Sequence, residues 1–197
     1  MKLWRQRQGE RMGGESDEEI VQQVLEGTGS AYALLVDRYQ RPVFNLMYRY
    51  CRSDEEAADL SQDVFLRAYE RLSSFDCRRK FFPWLYTLAI NRARDWQRSN
   101  SRKLKELSRL QWETEPIRNQ SQQEEQLLNR EEVQSLYGAL DDLADTTREL
   151  VLLRFKQELP IRDLAEIFGL SESAVKMRIS RGLDQMKTIL GGDRHEG

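Results

Sequence analysis

Side chains capable of bond chemistry are few in this sequence and poorly grouped. Asp59 and Asp63 stand one helical turn apart, a spacing that can hold a metal ion inside a bundle, but no histidine, cysteine or second acidic pair accompanies them. Cys51 and Cys77 are the only cysteines and form no Cys-x-x-Cys pair, while the one histidine, His195, lies in the terminal tail. No metal, no cofactor and no catalytic residue is therefore expected. What the sequence does supply is recognition chemistry, in two places.

The first is a dense run of cations. Between positions 78 and 103 stand Arg78, Arg79, Lys80, Arg92, Arg94, Arg98, Arg102 and Lys103 against the single acid Asp95, a local charge of +7. Over the whole chain 31 bases meet 33 acids, so only this local distribution advertises a polyanionic partner. Helical phase puts Trp84, Thr87, Asn91, Arg94 and Arg98 on one side, and Leu85, Ala89 and Trp96 on the other. A ring, an amide and guanidinium groups on one surface suit melting DNA, because aromatic faces stack on unpaired bases at about 1–3 kcal/mol each while arginine holds phosphate. The preceding loop, Phe75 to Phe82 with Arg78, Arg79 and Lys80, is placed to receive a base expelled from the duplex. Singly, Phe75, Phe81, Phe82 and Trp84 each read as core; clustered within this charge, they read as a stacking site.

The second is a helix-turn-helix pattern. A short apolar-faced helix over 160–168 is followed by Gly169-Leu170-Ser171, where glycine supplies a left-handed stop and Ser171 caps a second helix over 171–187. Val175, Ile179, Leu183, Met186 and Leu190 fall on one face of it, Ser173, Lys176, Met177, Ser180 and Arg181 on the other, with Arg178 at the flank. Short polar and basic side chains on an outer face suit the major groove of DNA. An ordinary solvated face would look similar; the correctly phased Gly-Leu-Ser turn favours DNA.

The elements that position these groups are all helical. Strong helix formers with apolar spacings of three and four run over 16–72 and 127–190, with Pro only four times and no strand pattern. Helices are expected over 17–26, 30–50, 53–72 and 83–98, and then over 131–140, 146–156, 160–168 and 171–187. The second should bury Leu34, Leu35, Val43, Leu46, Met47 and Tyr50, and Pro42 should kink it or begin a new turn. Leu60, Val64 and Phe65 form the stripe of the third. Ser53 with Glu56, and Thr146 with Glu149, have capping-box spacing, and Pro83 fits a first turn. The expectation is an all-α chain of two small four-helix domains joined by a flexible linker: a disordered leader over 1–15, a domain over 16–98, the linker over 99–126, a domain over 127–190 and a tail over 191–197. A chain of 197 residues that is 39% apolar fits two modest cores. It has no membrane-length apolar run and no signal peptide, and is expected in the reduced cytoplasm.

Three segments now line up. Asp59-Leu-Ser-Gln62-Asp63-Val-Phe65-Leu-Arg-Ala-Tyr69, then Trp84-Leu85 through Asn91-Arg92-Ala93, then Leu164-Ala165-Glu166 through Ser171 and Val175-Lys176 to Arg181 follow one another in the order found in one family. Together they resemble the extracytoplasmic-function (ECF) sigma factors, small members of the sigma-70 family. The resemblance implies a non-enzymatic subunit that binds core RNA polymerase, reads the −10 and −35 promoter elements and helps melt DNA. It implies that Asp59, Gln62 and Asp63 touch the β′ clamp helices, that residues 73–98 read the −10 element with Asn91 at the melted bases, and that the second domain, a region 4 domain, meets the −35 element and the β flap. It further implies an anti-sigma factor as regulator, with no small-molecule substrate and no membrane insertion. The acidic segment 111–132 can mimic nucleic acid in a basic channel, and a plain spacer explains it equally well. Gly182 stands where many relatives carry Ala, at an expected cost of about 1 kcal/mol of helix propensity. A ligand-sensing helix-turn-helix regulator and a protein-only adaptor are the rival readings. The regulator leaves the Asp59–Tyr69 motif and the basic loop without a purpose; the adaptor predicts that neutralising Lys176 and Arg181 leaves transcription unchanged.

Overall fold

The computed structural model describes residues 15–107 and 130–192, which contain eight α-helices, two short 3-10 turns and no strand. The chain divides into two compact units, Met1–Glu113 and Thr114–Gly197. Residues 1–14 of the expected leader, 108–126 of the expected linker and the tail beyond 192, with His195, lie outside the described residues.

In the first unit, α1 (Asp17–Leu25) opens on a true capping box: the Ser16 hydroxyl accepts from the Glu19 N–H at 3.2 Å and the Glu19 carboxylate accepts from the Ser16 N–H at 2.6 Å. After a turn at Gly27 (φ +108°) and a 3-10 turn at Gly29–Ala31, α2 (Tyr32–Cys51) runs without a break through Pro42. No new turn begins at Pro42. Leu34, expected in the core, is 45% exposed, because two neighbouring leucines differ by about 100° in phase and only Leu35 can face inward. Leu35, Val43, Leu46 and Met47 are buried and Tyr50 half-buried.

Helix α3 (Asp54–Glu70) begins where the Ser53 hydroxyl accepts from the Glu56 N–H at 3.3 Å, and it buries Ala57, Leu60, Ser61, Val64, Phe65 and Ala68. A 3-10 turn, Leu72–Ser74, leads to the basic loop, and α4 (Phe81–Leu107) follows with Pro83 in its first turn. The helix continues well past the expected end at Arg98, consistent with a stretch from Arg98 to Leu107 that holds no Gly or Pro. Its buried stripe is Phe81, Phe82, Leu85, Tyr86, Ala89, Ile90 and Ala93; Trp96, expected to face inward, is half-buried. Helices α2, α3 and α4 pack on one another, and α1 adds the fully buried Ile20 and Val21.

The second unit comprises α5 (Arg130–Asp141), α6 (Asp145–Phe155), α7 (Ile161–Phe168) and α8 (Glu172–Gly192). Ala139, Leu140, Leu143, Val151 and Met186 form one buried cluster, with Leu183 and Leu190 packed partly against it, and Leu150, Leu153, Leu164, Ile167, Phe168, Val175 and Ile179 are buried as well. The expected Thr146–Glu149 capping box does not form. Ala144 takes the N-cap position with no side-chain bond, Thr146 lies inside the helix and Glu149 is fully buried. The first turn is held instead by Arg148, whose guanidinium donates to Asp145 at 2.6 Å and to Asp141 at 3.2 Å.

Gly182 also corrects its expectation. A Cβ there would stand 2.6 Å from Thr147 Cγ2, closer than real contacts allow, so the glycine lets α8 approach α6. Gly182→Ala is expected to lower stability by about 1 kcal/mol, the overpacking outweighing the propensity gain, as read by thermal or urea unfolding. Adding Thr147→Ser, which removes only the obstructing methyl, should restore stability to the parent value or above.

Candidate nucleic-acid interface

The turn between α7 and α8 has the geometry that its residues promised. Gly169 is left-handed (φ 64°, ψ 40°), and the Leu170 N–H donates to the Ala165 carbonyl at 2.9 Å, closing α7. Ser171 then accepts from the Ala174 N–H at 3.2 Å through its hydroxyl, capping α8. With Val175, Ile179 and Met186 buried, Ser171, Ser173, Lys176, Met177, Arg178, Ser180 and Arg181 are all exposed. The structure brings this whole predicted set to the outside of one helix. Three cations, three serines and Met177 thus share an exposed helix surface of the kind that suits base edges and phosphates.

The basic loop and α4 are more constrained than their composition suggested. Asp76 folds back on Arg78, accepting from its backbone N–H at 3.0 Å, from Nε at 2.9 Å and from Nη2 at 2.9 Å. Those hydrogen bonds hold the Asp76 carboxyl down to about 2. Lys80 lies 3.5 Å from Glu18, and Arg98 donates to Asp95 at 2.6 Å. Thr87 is half-buried and donates its hydroxyl to the Pro83 carbonyl at 2.8 Å.

The aromatic cluster is largely core. Phe75, Phe81 and Phe82 are buried, and the half-exposed Trp84 packs its ring against Phe75 (5.1 Å) and Phe81 (5.6 Å). Reading all four as a stacking site is therefore corrected, since only Trp84 retains a free surface. Asn91 is exposed and Arg94 half-buried.

On α3, Asp59 and Gln62 are exposed, but Asp63 is half-buried and shared by two arginines. Arg67 Nε donates to it at 3.0 Å from the same helix, and Arg92 Nε donates to its other oxygen from α4. Partial burial pushes the Asp63 carboxyl up, but the bonds and charges of Arg92 and Arg67 outweigh this and leave it below the usual carboxylate range. Beside Asp59 and Gln62 stands Leu66, 58% exposed. Sequence reading passed over it, although a leucine out of phase with the Leu60–Val64 stripe is the signal that would have found it. No described helix is long and apolar enough to cross a membrane, and no cluster of metal-ligating side chains occurs among the described residues.

Two family models match the chain: Sigma-70 region 2 over residues 35–103, and Sigma-70 region 4 over residues 139–188. The ECF RNA polymerase sigma factor SigW of Bacillus subtilis is 32% identical over 86% of this chain and 94% of its own length. The chain belongs to the ECF sigma factors of the sigma-70 family. The ECF RNA polymerase sigma-E factor of Haemophilus influenzae is 28% identical over 87% of this sigma factor and 94% of its own length. The same fold occurs in CnrH, solved in complex with the cytosolic domain of CnrY, at a TM-score of 0.64 and 23% identity, covering 91% of this chain and 99% of that one.

A sigma factor is a non-enzymatic initiation subunit that takes RNA polymerase to promoters, which agrees with a surface built for contact rather than bond chemistry. The region 2 match spans α2, α3 and the basic face of α4; the region 4 match spans the helix-turn-helix. In this sigma factor the Asp63–Arg92 pair joins α3 to α4 one residue past Asn91. Asp63 has a depressed folded pKa, so its contribution is present above the unfolded carboxylate value and is lost as pH falls through the folded one. Asp63→Asn should therefore unfold at lower urea concentration than the parent at pH 7, with the gap closing as pH drops below about 3.9.

Proposed function

We propose that this sigma factor acts in the cytoplasm with core RNA polymerase through a division of labour between its two units. The unit ending in α8 reads the −35 element, with Ser171, Ser173, Lys176, Met177, Arg178, Ser180 and Arg181 at the groove. The observation that carries this reading is the exposure of all seven on one Ser171-capped helix that follows the Gly169 stop of α7. Lys176 and Arg181 supply phosphate or guanine-edge contacts, and the short serines let the backbone approach.

The unit built on α4 reads the −10 element and stabilises its melted strand. Trp84 offers the free part of its ring, Asn91 its amide, and Arg78, Arg79, Lys80, Thr87, Arg94 and Arg98 form the surrounding polar and cationic surface. Several of these groups carry an internal acid, so DNA must compete for them. Asp59, Gln62 and Leu66 dock on the β′ clamp helices, with Asp63 bracing the helix behind them, and the second unit also meets the β flap. An anti-sigma factor that covers these surfaces is the proposed regulator, by analogy with the sigma factor RpoE of Bartonella quintana, solved in complex with the anti-sigma factor NepR.

The direct test is run-off transcription by purified core polymerase, with and without the protein, on genomic DNA of its source. New transcripts sharing a two-element motif upstream are expected; absence of transcripts together with failure to bind core would favour a ligand-sensing helix-turn-helix regulator. On a promoter so found, Lys176→Ala and Arg181→Ala are expected to weaken upstream binding and each to lower the salt slope by about 0.9. Trp84→Ala and Asn91→Ala should leave initial duplex binding near the parent value and reduce permanganate reactivity of the melted region. Intact reactivity would remove these two residues from the −10 site.

A further inference from the structure

Helix α1 precedes the span that matches region 2, which begins at residue 35, yet it reaches into the candidate −10 surface. Its own seat is firm. Ile20 and Val21 are fully buried, the Asp17 carboxylate accepts from Arg38 Nη1 at 2.7 Å, and the Tyr39 hydroxyl donates to the second Asp17 oxygen. Arg38 Nη2 also donates to the Glu15 carbonyl at 2.8 Å. From this anchored turn Glu18 extends across to the start of α4. One carboxylate oxygen accepts from the Phe81 N–H at 3.2 Å, and the other lies 3.5 Å from Lys80 Nζ. A single side chain, itself 20% exposed, therefore caps α4 and holds the last cation of the loop.

We propose that Glu18 is a positioning residue for promoter melting: it seats the base-receiving loop, residues 76–80, on the first turn of α4. Phe81 is the first residue of that helix and Trp84 lies one turn on, so the loop and the ring meet a displaced base at a separation that the Glu18 bond fixes. Within the loop, the Asp76–Arg78 pairing shapes the near end. The Asp76 carbonyl also accepts from the Arg79 N–H at 2.9 Å, and Glu18 holds the far end, Lys80 and Phe81, from another helix. The inference rests on the −10 reading of this surface.

The test uses full-length protein assembled with core polymerase, comparing the parent with Glu18→Ala and Glu18→Gln. Glutamine keeps an oxygen to accept from the Phe81 N–H and loses the ion pair; alanine loses both. At saturating holoenzyme, Glu18→Ala is expected to slow open-complex formation roughly fivefold or more, the order of effect of losing a side-chain helix cap, with Glu18→Gln recovering most of the rate. Discrimination between the promoter and a variant changed at one −10 base should fall with Glu18→Ala, while core affinity and binding to a duplex carrying only the −35 element stay at the parent level. A loss of folded protein would scale all of these down together and leave the discrimination ratio unmoved, and that pattern would overturn the proposal. So would a Glu18→Ala rate within about twofold of the parent, a change too small for a lost cap. Trp84→Ala separates the two levels of inference: if it impairs melting and Glu18→Ala does not, the role of Glu18 alone fails, and if neither impairs melting, the −10 reading of the surface fails.

Discussion

Everything in the first unit depends on how α4 divides its circumference between core and surface. Its inward stripe of Phe81, Phe82, Leu85, Tyr86, Ala89, Ile90 and Ala93 is wide at the start, where four large side chains fill the space against α2 and the loop, and narrows to alanines further along. Small residues let helices approach closely, and that approach brings Arg92 within bonding reach of Asp63 on α3. The wide end explains the fate of the aromatics. Once Phe75, Phe81 and Phe82 are needed to close the core over the loop, only Trp84 is left with a partly free ring. The surface that can meet DNA is thus what remains after packing has been satisfied.

The same helix carries most of the positive charge, and the fold tempers it. Asp76, Glu18, Asp63 and Asp95 each hold one base of the stretch that begins at Arg78. The exposed pairs among them, Asp76–Arg78 and Asp95–Arg98, contribute little stability, a median near 0–1 kcal/mol, so their main consequence is electrostatic. They lower the net positive potential of this face, and on the proposed −10 reading phosphates compete with these acids for the bases. A chain with 31 bases and 33 acids can in this way contain a nucleic-acid surface without being a general polycation. In the helix-turn-helix the cations Lys176, Arg178 and Arg181 stand among serines and Met177, with Glu172 and Asp184 the exposed acids of the same helix.

What could be read from the sequence was whatever depended on local phase. The eight helices, the Gly169 stop, the Ser171 cap and the outer face of α8 follow from residues within a few positions of one another, although α4 and α8 run beyond their expected ends. Apart from the end of α4, the misreadings turn on contacts between elements. Leu34 and Leu35 are indistinguishable until α3 and α4 choose which of them to cover. Thr146 and Glu149 have the spacing of a cap, but Glu149 is drawn into the core and Arg148 ties the turn instead. Gly182 looked like a propensity defect because Thr147, thirty-five positions away, is invisible to a local reading. Glu18 and Asp63 belong to the same class, as their partners lie 63 and 29 positions along the chain.

These long-range carboxylates also show why acidic residues on a polymerase-facing or DNA-facing helix should not be assigned by exposure in sequence alone. Asp59 and Asp63 are equivalent by type and nearly so by phase, yet one is a free surface group and the other a junction between two helices. Substituting a free acid removes one contact with a partner. Substituting a junction leaves the half-buried Arg92 and the exposed Arg67 without their shared acceptor, a cost that spreads to every surface the two helices carry. A loss of promoter function on changing Asp63 therefore implicates the α3–α4 angle before it implicates the polymerase, whereas the same loss on changing Asp59 points outward.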